Sequence, residues 1–246
     1  MKSICYLLLV LFISLWFPMK GNAQFVDAPK REYRAVWLTT IKGLDWPKET
    51  HRGDVEAQQE HLRAVLDSLQ AIHINTILLQ TRIRGDVIYP SSIEPFAPVF
   101  TGQHGVAPSY DPLAFAIEEC HRRGMQLHAW LVTIPLGDVA YVEGHSKQSL
   151  PSKKPKQCTK FKGAWYMEPS HPATATHLSA LVEEIVSRYD VDGIHFDYIR
   201  YPENARRFPD KDTHRKYGKG KDLKQWRREN ITAIARRLYN EVKQVK

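Results

Sequence analysis

Residues 191–202 read VDGIHFDYIRYP, the pattern of a short buried β-strand that ends in a polar cluster. Because side chains alternate along a strand, His195 and Asp197 share one face. Ile194 and Phe196 lie on the other face, where they can pack against helices. The stretch therefore predicts a strand of an α/β protein with a functional carboxyl group at its C-terminal tip. An aspartate that only caps the following loop is the alternative.

Strand and helix periodicities alternate along the rest of the chain. Strands are expected at 35–39, 75–80 and 125–132, and helices at 56–72, 111–123, 177–189 and 223–245. Pro112 in the first turn and Gly124 after the last mark the second helix. With the strand at 191–197, the pattern gives four strand–helix pairs. Pairs joined by right-handed crossovers predict a parallel sheet.

The predicted fold class is α/β, a parallel (β/α)8 TIM-type barrel of which the chain supplies only the first four units. A doubly wound open sheet is the alternative, but no Gly-x-Gly-x-x-Gly turn follows the first strand. Residues 24–246 are then the N-terminal half of a barrel domain. Unpaired strand edges should make such a half unstable, aggregation-prone or dependent on another half. Two long insertions, 84–110 and 135–175, are expected at the catalytic face.

One face of every predicted strand carries polar or aromatic side chains, and the other face is apolar. The polar faces carry Trp37 and Thr39, then Gln80 and Arg82, then Gln126, His128 and Trp130, then His195 and Asp197. Burying so many polar groups is costly unless they are paired or bind a ligand. We therefore predict a polar pocket near the carboxyl ends of the strands.

The residue types in this pocket suit a sugar. Aromatic rings can stack on a pyranose, and charged or amide groups can bond its hydroxyls. The candidate substrate-binding residues are Trp37, Gln80, Arg82, Arg84, His128, Trp130, His195, Tyr198 and Arg200, with Trp46 as a further aromatic platform. Each aromatic taken alone could equally be a core residue. Arg84 and Asp86 could also form an internal ion pair that shapes their loop.

The chain resembles the glycosyl hydrolase-like 10 family from about Arg31 to its last residue. Five motifs in order carry the resemblance: RAVW at 34–37, QTRIRGD at 80–86 with YPS at 89–91, YDPLAFAIEE at 110–119, HAW at 128–130 and DGIHFDY at 192–198. The resemblance implies a secreted bacterial TIM-barrel glycosidase with Asp197 at the centre of its site. The sequence departs from the family pattern by stopping before the second half of the barrel.

Glycoside hydrolysis usually needs two carboxyl groups. Asp197 is the candidate nucleophile or base, with positive charge from Arg82 or Arg200 keeping it ionised. Asp86 is a candidate for the second catalytic carboxyl group. A residue on a later strand is favoured over Asp86, which would leave this chain catalytically incomplete.

Two other functions remain open. One is a non-catalytic glycan-binding fragment, which the predicted truncation favours. The other is a metal-dependent hydrolase that uses His128, His195 and Asp197 around zinc. The first strand lacks a His-x-His pair, so we expect neither metal nor cofactor.

The first 23 residues have the layout of a secretory signal peptide. Lys2 precedes an apolar run that ends at Phe17, and small residues precede a predicted cleavage after Ala23. The run is shorter than the ~20 residues of a membrane span. We therefore expect a secreted, periplasmic or cell-envelope protein without a membrane span in its mature chain.

The charge of the chain bears on its binding partners, and its cysteines bear on disulfide formation. The formal net charge is +8 at pH 7, and many basic residues crowd 206–228. They indicate a solvated surface or attraction to an acidic glycan. No nucleic-acid motif accompanies them, so carbohydrate is the expected partner. Cys120 and Cys158 could form a disulfide, although the helical pattern around Cys120 is more typical of a buried free thiol.

Overall fold

The computed structural model describes residues 32–145 and 147–245, and the predicted signal peptide lies outside them. The strands in these residues are β1 (Ala35–Leu38), β2 (Thr76–Arg82), β3 (Gln126–Val132), β4 (Pro135–Asp138), β5 (Cys158–Phe161), β6 (Ala164–Met167) and β7 (Gly193–Asp197). The helices are α1 (Val55–Ala71), α2 (Pro112–Arg122), α3 (Val139–Gly144), α4 (Leu150–Lys153), α5 (Pro172–Arg188), α6 (Lys211–Tyr217) and α7 (Leu223–Val245). Short 3-10 turns occur at Ile41–Gly43, Glu49–His51, Pro155–Gln157 and Ala205–Arg207.

Four of the strands form a parallel sheet in the order β1-β2-β3-β7. Within it, Gln80 lies opposite Trp130, and Trp130 lies opposite His195. Each strand is followed by a major helix, α1, α2, α5 or α7, so the chain is an α/β protein with the architecture of a partial TIM barrel. β1 and β7 are the two edges of this sheet.

The apolar face of the sheet packs against the helices, as the alternation predicts. Buried residues of this layer are Leu38, Ile77, Leu79, Leu127, Ala129 and Leu131 from the strands, and Leu62, Leu66, Leu113, Leu181 and Ile185 from the helices. Burial of each large apolar side chain contributes about 1.5–3 kcal/mol. Ile194 and Phe196 share this face but are only half-buried, because β7 is an edge strand.

Helix α5 begins at Pro172, five residues earlier than the apolar periodicity predicts. Its first turn is stabilised by His171, whose Nδ1 accepts a hydrogen bond from the Ala173 amide at 3.2 Å. Pro172 occupies the first helical position, where a missing N–H costs nothing. Of the helices described, none combines the length and apolar character that crossing a membrane requires.

The two long insertions contain buried residues and strands, whereas their polar composition suggests surface loops. Residues 84–110 have little regular structure, yet Ile88, Tyr89 and Phe100 are fully buried, so the segment belongs to the core. Residues 135–175 contain a small antiparallel sheet in the order β4-β6-β5. This second sheet stands beside the carboxyl ends of the parallel strands and forms one wall of the site described below.

The two cysteines of the described residues are free and buried. Cys120 lies in α2 against the parallel sheet, and Cys158 opens β5 of the small sheet. Burial raises the pKa of each thiol to about 12. The buried-thiol interpretation of Cys120 is thus confirmed, and the disulfide alternative is not formed.

Candidate active site

A cleft of about 870 Å³ opens at the carboxyl ends of the four parallel strands. Six of the predicted site residues line it: Gln80, Arg84, Trp130, Asp197, Tyr198 and Arg200. Gly137, Phe161 and Tyr166 of the small sheet form the facing wall. Strands that were predicted to end in polar side chains therefore converge on one shared cleft.

Asp197 is held at both its carboxylate and its backbone. The Trp130 indole Nε1 donates to Asp197 Oδ2 at 3.1 Å, and the Tyr198 amide donates to Oδ1 at 2.7 Å. The amide and hydroxyl of Thr133 donate to the Asp197 carbonyl at 3.0 and 2.8 Å. These bonds fix the carboxylate at the last position of β7, where it faces the cleft.

Tyr198 follows Asp197 in the left-handed backbone region, with φ of 54°. This conformation costs a residue other than glycine about 1–3 kcal/mol, and such residues cluster at functional sites. Arg200 lies 5.0 Å over the Tyr198 ring and pairs with Glu203 at 3.5 Å. The charge of Arg200 is thus directed at Glu203 and the ring, and no ion pair joins it to Asp197 among the described residues.

Gln80 of β2 lines the same cleft and organises the end of β1. Its Oε1 accepts the amides of Thr40 and Ile41 at 3.1 and 3.2 Å, together with the Thr39 hydroxyl. The oxygen is therefore fully engaged, and the side-chain NH₂ is the group left to meet a ligand.

The polar face of the sheet extends toward the start of the strands, where it carries His195, Trp37 and His128. Trp37 Nε1 donates to His195 Nε2 at 3.2 Å, and the His195 ring contacts Trp130 with 6.3 Å between centroids. His128 is half-buried, and its ring lies 2.8 Å from where a Cβ on Gly193 would stand. Burial lowers the pKa of His128. These three residues share the predicted face but lie outside the lining of the cleft.

The prediction that Arg82 lines the pocket is wrong. A register irregularity between Gln80 and Arg82 places Arg82 opposite Leu131, on the helix-facing side of the sheet. Its side chain is fully buried and donates to both carboxylate oxygens of Glu94, at 2.6 and 2.7 Å. It also donates to the carbonyls of Val132 and Thr133. Arg82 is therefore committed to the interior and cannot contact substrate or Asp197.

Asp86 and Trp46 are likewise buried rather than exposed to the cleft. Asp86 accepts the Tyr141 hydroxyl and lies 3.7 Å from His104. Trp46 is fully buried, and its indole donates to the Gln58 carbonyl at 2.8 Å. Neither the candidate second carboxyl group Asp86 nor the candidate sugar platform Trp46 therefore lines the cleft.

Glu94 and His177 support the site although the sequence patterns do not reveal them. Glu94 is buried between Arg82 and His177, whose Nε2 lies 2.7 Å from Glu94 Oε1. Burial alone would raise the pKa of Glu94, but the positive charge of Arg82 and hydrogen bonds from both partners hold it at about 2. The chain Glu94–Arg82–Thr133 ends at the Asp197 carbonyl. The sequence offers one signal for Glu94, which is that this acidic residue stands between Ile93 and Pro95-Phe96. An acidic residue that is buried among apolar neighbours needs a basic partner.

Within residues 32–145 and 147–245, no three His, Cys, Asp or Glu side chains are grouped as metal ligands. His195 is engaged with Trp37, and Asp197 with Trp130 and a backbone amide. The geometry therefore does not support the zinc alternative built on His128, His195 and Asp197.

Comparison with known proteins identifies the family of the chain. The model of the family described as Glycosyl hydrolase-like 10 matches residues 32–246. Glycosyl hydrolase YngK of Bacillus subtilis (strain 168) is 31% identical over an alignment of 256 positions, which covers 100% of this chain and 49% of YngK. Glycosyl hydrolase DigH of Escherichia coli (strain K12) is 33% identical over 232 residues, which cover 87% of this chain and 52% of DigH. The chain thus spans about half the length of the curated relatives it matches.

A solved structure with a similar fold is alpha-L-fucosidase isoenzyme 2 from Paenibacillus thiaminolyticus. Its TM-score is 0.57 at 17% sequence identity, and the match covers 88% of this chain and 31% of that chain. At this identity the likeness concerns the fold alone. This likeness to a TIM-barrel structure confirms the predicted fold class.

Proposed function

The chain belongs to the glycosyl hydrolase-like 10 family, and from this premise we propose that it hydrolyses glycosidic bonds of an oligo- or polysaccharide, with Asp197 as nucleophile or base. One observation carries the proposal: a carboxylate fixed at the C-terminal end of β7 faces a cleft wide enough for sugar rings. We further propose that the activity lies outside the cytoplasm, because residues 1–23 have the pattern of a signal peptide.

The carboxylate of Asp197 is suited to act on an anomeric centre or on a water molecule. Each of its oxygens accepts one N–H bond, so each keeps a lone pair for the reaction. The bonds also remove rotational freedom from the side chain, which positions it before substrate arrives. Trp130 supplies one of these bonds, and its ring lines the same cleft, where a pyranose can stack.

The second carboxyl group of the reaction is not assigned to a described residue. Asp138 and Glu203 also line the cleft. However, Asp138 Oδ1 accepts the Tyr141 amide at 2.7 Å as the cap of α3, and Glu203 pairs with Arg200. The curated relatives carry about as much sequence again. We propose that the proton donor comes from a region corresponding to that additional sequence, so turnover is measured on a protein that includes this region.

The function is tested by the release of new reducing ends from a panel of oligosaccharides and polysaccharides. We expect release that persists in the presence of a chelator, because the two-carboxyl mechanism needs no metal. Retention of a polysaccharide without cleavage would favour a glycan-binding protein instead. Loss of cleavage on chelation would favour a metal-dependent hydrolase.

Replacing Trp130 by Phe should lower kcat about tenfold and leave KM nearly unchanged. The ring for stacking remains, but the N–H donated to Asp197 is lost, and a hydrogen bond to a charged group contributes about 1.5–3 kcal/mol. Steady-state kinetics on one cleaved oligosaccharide measure the effect. Trp165→Phe is the matched control, because the Trp165 indole N–H is buried without a partner and lies outside the cleft lining. Equal kcat values for the two variants would contradict a role for the Trp130 N–H.

A further inference from the structure

A second cavity of about 380 Å³ adjoins the main cleft. Its charged and polar lining consists of Lys42, Glu49, Arg52, Arg84, Tyr141 and His145. Lys42 and Arg84 line both this cavity and the main cleft, so they stand at the junction between the two. A ligand group that extends from the cleft into the side cavity therefore lies beside residues that include these two cations.

Arg84 is held rigidly and its charge is not neutralised by a carboxylate. Its guanidinium carbon lies 3.5 Å from the centroid of the Tyr141 ring. Its Nε is buried without a hydrogen-bond partner, and no ion pair with Arg84 occurs among the residues that the structure describes. Asp86, two residues away, is occupied by the Tyr141 hydroxyl. The guanidinium thus stacks on Tyr141 without a carboxylate ion pair, and it keeps N–H donors for an incoming ligand.

The backbone around Arg84 is shaped for this arrangement. Gly137 has φ of 106°, and a Cβ there would lie 3.2 Å from both Arg84 Cδ and Tyr141 Cδ1. A side chain at position 137 would therefore press on the stacked pair. Lys42, the other cation shared by the two cavities, adopts φ of 52°, a left-handed conformation that is costly outside glycine.

The side cavity is positive overall. Arg52 pairs with Glu49 at 2.8 Å, and that carboxylate is the acidic group in the cavity lining. Lys42 and Arg84 are left as two cations in addition to the Arg52–Glu49 pair. Two positive side chains shared by the two cavities favour a ligand that carries an oxyanion, and the planar fork of arginine suits a carboxylate or a sulfate.

We propose that Lys42 and Arg84 form an anion subsite that binds an acidic substituent of a glycan lying in the main cleft. The proposal rests on the proposed function for the presence of the glycan, and it narrows the substrate class to acidic oligosaccharides. The acidic group is a carboxylate or a sulfate, which share the oxyanion that the two cations recognise.

The test is calorimetric binding of four probes to the full chain and its variants. Hyaluronan hexasaccharide carries carboxylates, and its methyl ester has the same skeleton without charge. Chitohexaose is neutral, and 6-O-sulfated chitohexaose carries sulfate. We expect the wild-type protein to bind at least one acidic probe about tenfold more tightly than its neutral partner. Which acidic probe is preferred identifies the oxyanion, and added salt should reduce the preference.

Arg84→Gln and Lys42→Gln should each abolish the preference for the acidic probe while affinity for the neutral partner is retained. Lys211→Gln, an exposed position on α6 outside both cavities, removes the same charge and should keep the preference. Lys42 is exposed, so its variant stays informative even where Arg84→Gln fails to fold. Equal affinities for acidic and neutral probes, a preference that survives both substitutions, or binding of none of the four probes would overturn the subsite.

Failure of the subsite and failure of the proposed function are distinguishable. The release of reducing ends tests the proposed hydrolysis, and the affinity ratio of acidic to neutral probes tests the subsite. A protein that binds acidic probes preferentially without cleaving them would keep the subsite and refute the hydrolase.

Discussion

Replacement of Asp197 by Asn is expected to lower kcat about 10²- to 10⁴-fold, the range for loss of a catalytic acid or base. The amide is almost the same size as the carboxylate, and its oxygen can still accept an N–H bond from Trp130 or Tyr198. It cannot act as a nucleophile or remove a proton from water. We therefore expect the fold and the affinity for substrate to be kept while turnover is lost.

Turnover is measured as the rate of reducing-end release, and affinity by calorimetry with the same oligosaccharide. Asp212→Asn is the matched control, because Asp212 is an exposed residue of α6 that pairs with Arg215. The control should retain wild-type kcat. An Asp197→Asn protein with wild-type kcat would remove Asp197 from the reaction and leave it as a loop cap.

Glu94→Gln is expected to destabilise the protein by about 3–5 kcal/mol, because it leaves the guanidinium of Arg82 buried without its counter-charge. Both Glu94 and Arg82 are almost completely inaccessible to solvent, so water cannot replace the lost partner. The measurement is the free energy of unfolding from denaturant titration at neutral pH. Glu183→Gln, an exposed position on α5, makes the same chemical change and should alter stability little.

The same substitution should change the dependence of stability on pH. The pKa of Glu94 is about 2 in the folded state, against an ordinary value of 4.5. Because the folded-state pKa is the lower one, the folded protein binds fewer protons, and ionised Glu94 stabilises the fold above pH 4.5. This contribution, of order 3 kcal/mol, is lost as pH falls from about 4.5 to 2. The wild-type protein should lose it over that interval and Glu94→Gln should not; identical pH profiles for the two would contradict the assignment.

The sequence predicts the layers of this fold well because strand periodicity directly encodes which face is buried. The polar faces of β1, β3 and β7 lie where the alternation places them, and Trp130 and Asp197 meet in the cleft. Helix ends marked by a cap and a proline, as in α2, were also predictable, since these residues satisfy free amide groups locally. The family resemblance is confirmed by the family match.

The alternation of side chains along a strand does not predict the positions of Arg82 and Asp86. A single irregularity near Thr81 shifts the register of β2 and turns Arg82 to the opposite face. The apolar pattern of the sequence does not reveal such a shift. One displaced residue is enough to move the side chains that follow it to the opposite face of the sheet. Asp86 follows directly in an irregular segment, where the position of a side chain depends on contacts such as that with Tyr141, distant in sequence.

The small antiparallel sheet and Glu94 could not be predicted for a related reason. Strands β4, β5 and β6 have four residues each, too few to establish a period. Glu94 lies in the 84–110 segment, which has little regular structure to orient it. Its partners Arg82 and His177 are 12 and 83 positions away in sequence. Local sequence patterns carry no information about such pairings.

The two shielded thiols provide natural reporters of how the molecule opens. Cys120 lies in the helical layer behind the parallel sheet, and Cys158 lies in the wall formed by the small sheet. Neither sulfur reacts readily while its layer is closed, because the thiolate is the reactive species and burial disfavours it. The rate of modification at each cysteine therefore measures the opening of its own layer. Labelling of Cys158 ahead of Cys120 would record motion of the cleft wall while the barrel layer stays intact.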